Sequence, residues 1–335
     1  MSHPRPGGRR RGLPVLTPLV AVAVVAGGVA FAATRLSEGT SKQTNDANVE
    51  QVAAPDAPQS GSPPAGDTPA NAQPGTLFDS FDYSGLGDPA LAAHGWQARD
   101  EQGGPGIRNT WSTQGVSFPQ VPAAQGGKAL QLQLTTDGTK AGTKQAQLAG
   151  TGAKFFTGTL AARVYFNDKP TTGRNGDHIN ETVFLVSPSG SSSPKYTELD
   201  YEYMPNGGWG APGPRLDTTS WRSAKSGDRV TRAQKQSYKG WHTVMITAMN
   251  GVVTYSIDGR TLFSSNGKEF PREPTDIAFS TWLVDLPFTG ARTWNMHVNW
   301  VYCKANQTVP IKDVQVAVDA FYAQGTRYVD TMPKG

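Results

Sequence analysis

Thr197-Glu198-Leu199-Asp200-Tyr201-Glu202-Tyr203 sets three carboxylates in strict alternation with three apolar or aromatic side chains. A strand sends successive side chains to opposite faces. Glu198, Asp200 and Glu202 therefore line one face, and Leu199, Tyr201 and Tyr203 line the other. Neighbouring acids stand about 7 Å apart along such a strand. Like charges that close repel, so one of them should hold its proton to higher pH than usual. A proton donor beside an ionised carboxylate is the equipment for breaking a glycosidic bond. The competing reading is a strand face washed by solvent, and the rest of the chain has to decide between them.

Outward from this stretch the pattern repeats. Short strand-like runs occupy 129–134, 159–166, 181–186, 241–247, 252–257, 276–282 and 297–303. Turn signals separate them: Asp137-Gly138, Asn206-Gly207-Gly208, Asn250-Gly251, Asp258-Gly259 and Asn266-Gly267. The run 252–257, between Asn-Gly and Asp-Gly, has a hairpin signature. No long segment of helical period precedes residue 308. The pattern predicts an all-β sandwich. After it, Ile311, Val314, Val318, Phe321 and Tyr322 follow helical spacing, with Pro310 at the start and Gly325 at the stop. Residues 306–335 are read as a helical extension docked on the sandwich. The stretch 204–216 is rich in Gly and Pro and yields no strand.

The N-terminus differs in kind. Arg5, Arg9, Arg10 and Arg11 precede an uncharged, mostly apolar run over 13–33, with Ala30-Phe31-Ala32 as a small-x-small cleavage site. Residues 1–35 are read as a signal peptide or signal anchor. The polar, Ala/Pro/Gly-rich residues 36–76 are read as a disordered linker. The expected location is extracellular, secreted or tethered to the outer face of the cell membrane. Membrane contact would be through the N-terminal segment alone. The net charge of +4 includes five arginines and no acid within residues 1–35, so no basic stripe marks a nucleic-acid surface. The lone Cys303 excludes an intrachain disulfide framework. The five histidines lack ligand spacing, which argues against catalytic zinc.

Residues 198–202, Glu-Leu-Asp-Tyr-Glu, match the Glu-x-Asp-x-Glu signature of glycoside hydrolase family 16, whose members include lichenases, laminarinases and xyloglucan endotransglycosylases. Other stretches resemble that family in the same order. Phe155–Val164 resembles its Gly-x-x-Glu-Ala-Arg strand, with Ala161 where many members carry glutamate. Gly240-Trp241-His242-Thr243 followed by Tyr255-Ser256-Ile257-Asp258-Gly259 resembles a family hairpin. The stretch 274–282 resembles a strand ending in Trp282. The last strand ends Asn299-Trp300-Val301-Tyr302, with Asn299 in place of the common acid. The resemblance implies a concanavalin A-like jelly roll of two antiparallel sheets over residues 77–305. It implies Glu198 as nucleophile, Glu202 as general acid/base and Asp200 as the group that tunes the nucleophile.

The resemblance further implies cleavage of a β-1,3 and/or β-1,4 glucan-type polysaccharide with retention of configuration. It requires no cofactor, though it allows a structural Ca²⁺ held by backbone and acidic oxygens. A sugar ring needs flat apolar platforms beside hydrogen-bonding groups. Trp282 matches a cleft position of the family, and Trp209 and Trp221 are further candidates for substrate binding. Trp241 and Trp300 lie in strongly alternating apolar runs and read as core. The partner is a polysaccharide and the chain is expected to be a monomer. Two other readings share the fold. One is a transglycosylase, in which a sugar replaces water as acceptor. The other is a lectin-like binder, which would keep the fold without the chemistry.

Overall fold

The computed structural model describes residues 73–333. The expected export segment, 1–35, and the linker up to residue 72 lie outside the described residues. Eighteen strands and two α-helices occur in the described chain. The strands begin β1 (Thr76–Asp79), β2 (Trp96–Ala98), β3 (Val116–Ser117), β4 (Leu130–Thr136), β5 (Ala146–Gly150) and β6 (Gly158–Phe166). They continue β7 (Ile179–Val186), β8 (Glu198–Met204), β9 (Gly207–Gly208), β10 (Ala211–Pro212), β11 (Arg215–Ser223) and β12 (Asp228–Gln234). The last are β13 (Gly240–Met249), β14 (Val252–Ile257), β15 (Arg260–Asn266), β16 (Asp276–Leu283), β17 (Arg292–Ala305) and β18 (Tyr328–Asp330). The helices are α1 (Pro89–Ala93) and α2 (Ile311–Ala323).

Two antiparallel sheets form the expected sandwich. The site sheet runs β12-β11-β8-β7-β16-β5-β2. The back sheet runs β15-β14-β13-β6-β17-β1-β18, with β4 and β3 beside the first half of β17. Alternation in sequence becomes alternation in burial. In β4, Leu130, Leu132 and Leu134 are buried while Gln131, Gln133 and Thr135 are half-buried on the other face. The apolar faces meet in one core that includes Leu132, Leu148, Val164, Leu185, Leu199, Phe279 and Val298.

β8 is central in its sheet, between β11 and β7. Leu199, Tyr201 and Tyr203 enter the core, as the period of two requires. The Tyr201 hydroxyl donates to Met245 O and Ser256 O, each at 2.7 Å, in back-sheet strands β13 and β14. Tyr203 donates to Asp168 and accepts from Tyr238 N at 3.2 Å. These bonds satisfy phenols that would otherwise be buried without partners. They also hold β8 in register with its three acids facing outward.

The predicted helix forms as α2. It covers part of the outer face of the back sheet, packing Val314, Val318 and Phe321 on Phe78, Ala161, Met245, Trp300 and Tyr302. The chain then returns as β18, which pairs with β1, so the C-terminal extension is a helix followed by an edge strand. The sandwich opens at Thr76, the last residue of the expected linker. Trp300 is buried as expected, but Trp241 is half-buried on the outer face of the back sheet and does not join the core. Its run alternates, but Val244 and Ile246 carry the inward face there.

Among the described residues, no helix is long and apolar enough to cross a membrane.

Candidate active site

Strand register decides what surrounds the three acids. On one side β11 places Trp221 beside Glu198, Thr219 beside Asp200 and Asp217 beside Glu202. On the other side β7 places Val186, Phe184 and Thr182 at the same levels. One step beyond Thr182, Asn180 pairs with Trp282 of β16. The outward face of β8 is thus flanked by polar groups at the Glu202 end. At the Glu198 end lies an apolar cluster of Phe184, Val186, Tyr196, Ala224 and Ala278, with Trp221 against it.

The three carboxyls have different partners. Glu198, 7% exposed, accepts a hydrogen bond from the Tyr196 hydroxyl. Asp200, 4% exposed, accepts from Trp221 Nε1 at 2.8 Å through Oδ2, and its Oδ1 is buried with no donor aimed at it. A buried carboxylate oxygen with no donor is costly. Burial first, then the charges of Glu198 and Glu202, hold Asp200 well above the usual carboxylate range. The retained proton lets Asp200 donate to Glu198. Burial also raises Glu198, to about 8, and the bonds from Tyr196 and Asp200 offset part of that rise. Glu202 accepts from Asn180 Nδ2 at 2.7 Å. Burial pushes Glu202 up to about 7, with Asn180 opposing and the Asp217 charge assisting.

Two arginines complete the electrostatics. Arg215 grips Asp217 through three bonds of 2.6–3.0 Å, which neutralises the fourth carboxylate of the face. Arg229 lies over the Trp221 ring, 4.5 Å from its centroid. Both arginines also favour the charged form of Glu202.

The candidate tryptophans fall at different places. Trp282 is 5% exposed and edges the site near Asn180. Trp209 is 52% exposed, at positive φ in the tight β9–β10 hairpin, with its ring 5.8 Å from that of Trp282. Together they form an aromatic pair at the Asn180 end of the site, with Trp209 its exposed member. Trp221 reaches the acids with its Nε1 bond to Asp200, so its indole is committed to positioning. Trp294 is core, its Nε1 donating to Asp177 at 2.8 Å. Sequence reading did not single out Tyr196, Asn180, Arg215, Asp217 or Arg229. The usable signal was the alternation Asn180-Glu181-Thr182, which puts polar groups on the outward face of a buried strand.

A calcium ion does not fit where the resemblance would place an acid ligand. Asn299 Oδ1 accepts from Gln125 N at 2.8 Å, and its Nδ2 donates to Gln125 O, Lys128 O and Tyr322 Oη at 2.9–3.2 Å. Those carbonyls already meet an amide donor. Lys128 Nζ bonds Tyr83 O at 2.8 Å and pairs with Asp82 at 2.9 Å, so a side-chain cation is built into this region. Among the described residues, no group of three His, Cys, Asp or Glu side chains could hold a metal.

The chain shares its fold with glycoside hydrolase family 16 glucanases. A Bacillus licheniformis β-glucanase superposes with a TM-score of 0.50 at 16% identity, covering 69% of this chain and 98% of that one. A family 16 endo-glucanase from Bacteroides ovatus, solved in complex with G4G3G-2F-DNP, gives 0.52 at 15% identity, over 67% and 98%. An immunostimulatory antigen and pseudo β-1,3-glucanase of Mycobacterium tuberculosis gives 0.51 at 19% identity, over 68% and 97%. No protein-family model matches the chain, and no curated protein sequence matches it. At these identities the likeness establishes the sandwich alone, and the chemistry has to be argued from the residues.

Proposed function

We propose that the chain is an exported, retaining endo-β-glucanase that cleaves β-1,3 and/or β-1,4 glucan. The observation that supports it best is the unequal hydrogen bonding of the three aligned carboxyls. Glu198 receives O–H donors from Tyr196 and Asp200, whereas Glu202 receives an amide N–H from Asn180, so the charge Glu198 carries when it attacks meets two O–H donors. Burial raises Glu198 to about 8 and Glu202 to about 7, so the reacting form is the one in which Glu198 has lost its proton to solvent and Glu202 keeps its own. That division fits double displacement. Glu198 attacks the anomeric carbon while Glu202 protonates the departing glycosidic oxygen, giving a glycosyl ester on Glu198. Glu202, now ionised, takes a proton from water, which attacks the same carbon and releases Glu198. Asp200 keeps its own proton throughout and positions Glu198. Trp209 and Trp282 supply the platform for a sugar ring beside the acids. The export part of the reading rests on the sequence of residues 5–33.

One observation favours binding without cleavage as a second reading. Glu198 is buried at the apolar end of the face, bonded by the Tyr196 hydroxyl, and one protein of the same fold is described as a pseudo-glucanase. Product analysis separates the readings. The full chain is incubated with lichenan, laminarin and xyloglucan, beside Glu198→Ala. Oligosaccharide products that vanish in Glu198→Ala support the hydrolase. Cleavage that survives the substitution removes Glu198 from the nucleophile role. Retained glycan binding with no cleavage favours the lectin-like reading. Products longer than the substrate, formed when acceptor sugar is added, indicate transglycosylation.

A further inference from the structure

The outer face of the back sheet is covered over only part of its extent, and the burial patterns mark the boundary. β6 is buried at every position from Gly158 to Ala162, then alternates: Arg163 and Tyr165 half-buried, Val164 and Phe166 buried. β17 alternates from Arg292 to Val298 and is then buried at every position up to Lys304. Its register with β6 shifts between Val298 and Trp300. Helix α2 accounts for the covered half.

The uncovered half presents one straight row across five strands. Trp241 of β13 pairs with Tyr165 of β6, Tyr165 with His297 of β17, His297 with Gln131 of β4, and Gln131 with Ser117 of β3. Four strand spacings make a row about 19 Å long. All five side chains are half-buried, held by their neighbours but open on top. The Trp241 and Tyr165 rings meet at 5.5 Å and 74°, and Tyr165 and His297 at 6.3 Å and 76°. Arg163 stands 5.5 Å from the Trp241 ring centroid.

We propose that this row is a second glycan-binding surface, one that holds a neutral β-linked glucan chain on the side of the sandwich opposite the acids. It rests on the proposed function only for the class of polymer. Aromatic rims at one end match the apolar faces of pyranose rings. Imidazole, amide and hydroxyl groups at the other end match their hydroxyls. The polar partners are loosely engaged: His297 Nε2 to Gln131 Oε1 is 3.3 Å and Gln131 Nε2 to Ser117 Oγ is 3.4 Å, both longer than the preferred 2.9 Å or so. Such groups can exchange each other for a ligand at little cost. Charge points the same way. No carboxylate stands in the row, and burial keeps His297 in its neutral form down to about pH 4. A row of neutral donors and acceptors complements an uncharged polyol, and the Arg163 guanidinium beside Trp241 adds N–H donors for its hydroxyls. A cleft on one sheet and a hold on the other would let the protein stay on a polymer through one site while the other acts, raising the effective concentration of chain at the acids.

Affinity electrophoresis of the full chain in gels containing lichenan tests this, with Glu198→Ala as the parent so that the gel is not degraded. Trp241→Ala with Tyr165→Ala should raise the apparent Kd at least tenfold. Gln131→Ala, which leaves the aromatic packing intact, should raise it severalfold. Hydrolysis of a short soluble glucan oligosaccharide by the same changes on a Glu198 background should equal that of the unsubstituted protein, which also reports a folded cleft. Variants retarded like the parent overturn the proposal while leaving the cleft reading untouched, and a parent that lichenan does not retard overturns it together with glucan binding in the cleft. Retardation that is lost in Trp241→Ala, in a protein that cleaves no glucan, upholds this surface and rejects the hydrolase reading. A dimer in glycan-free buffer that Trp241→Ala dissolves, with unchanged retardation, assigns the face to a second copy of the chain and also overturns it.

Discussion

Glu198 and Glu202 are chemically identical side chains on one face of one strand, and their neighbours make them different. Tyr196 and Asp200 donate to Glu198, whereas Asn180 donates to Glu202 and Asp217 repels its charge. Removing the phenol tests this division. Tyr196→Phe takes a donor from an anion, a loss of about 1.5–3 kcal/mol, so the Glu198 pKa should rise by about one to two units. The limb of the kcat/KM profile set by Glu198 ionisation should move to higher pH by that amount, while the limb set by the Glu202 proton stays in place. Glu202→Gln should cost about 10²–10⁴ in kcat on glucan. A dinitrophenyl leaving group needs no protonation, so it should recover most of the first step. The acids themselves were legible because their spacing is set by the pleat. Tyr196 and Asn180 were not, because a loop return and a neighbouring strand bring them in, and register is a property of pairs of strands.

At the scale of elements, legibility follows from how each strand satisfies its inner face. β8 buries Leu199, Tyr201 and Tyr203, so alternation announces it. β11 buries Thr218 and Ser220 instead, and Ser220 Oγ bonds Tyr255 Oη at 2.8 Å and Ser265 Oγ at 2.7 Å. Beyond Leu216 its inner face is polar but hydrogen-bonded, so hydrophobicity does not alternate along it and Arg215 and Asp217 went unread. Helix α2 was legible from its spacing, whereas β18 is three residues long and is defined by pairing with β1. α2 contacts the back sheet and not the acids. Phe321, stacked on Phe78 with centroids 4.6 Å apart, is fully buried beneath it. Phe321→Ala should cost about 3–5 kcal/mol in a denaturant melt and leave kcat below its melting temperature unchanged. A loss of activity in the folded variant would show that α2 reaches the site.

For the molecule as a whole, buried acids set the pH dependence of stability. Glu181 lies inside the sandwich, accepting from Asn167 N and Nδ2 at 2.8 Å each, and burial raises it to about 8. The folded form therefore binds the proton more tightly than the unfolded form, whose carboxyl titrates near 4.3. Stability is complete below that value and is lost as pH rises through about 8. Glu198, Asp200 and Glu202 are raised and act in the same direction. The melting temperature should fall from pH 5 to pH 8.5, and Glu181→Gln, which stays neutral, should flatten part of that fall. A melting temperature that rises over this range would contradict the assignment of neutral buried acids.

The central claim is that Glu198 forms the bond to sugar, and covalent trapping addresses it most directly. The full chain is treated with a 2-deoxy-2-fluoro β-glucan oligosaccharide bearing a dinitrophenyl leaving group, then digested and sequenced by mass spectrometry. The account predicts one glycosyl ester, on Glu198 in the peptide containing Glu198-Leu199-Asp200-Tyr201-Glu202. An ester on any other residue, or no ester from a protein that cleaves glucan, contradicts it.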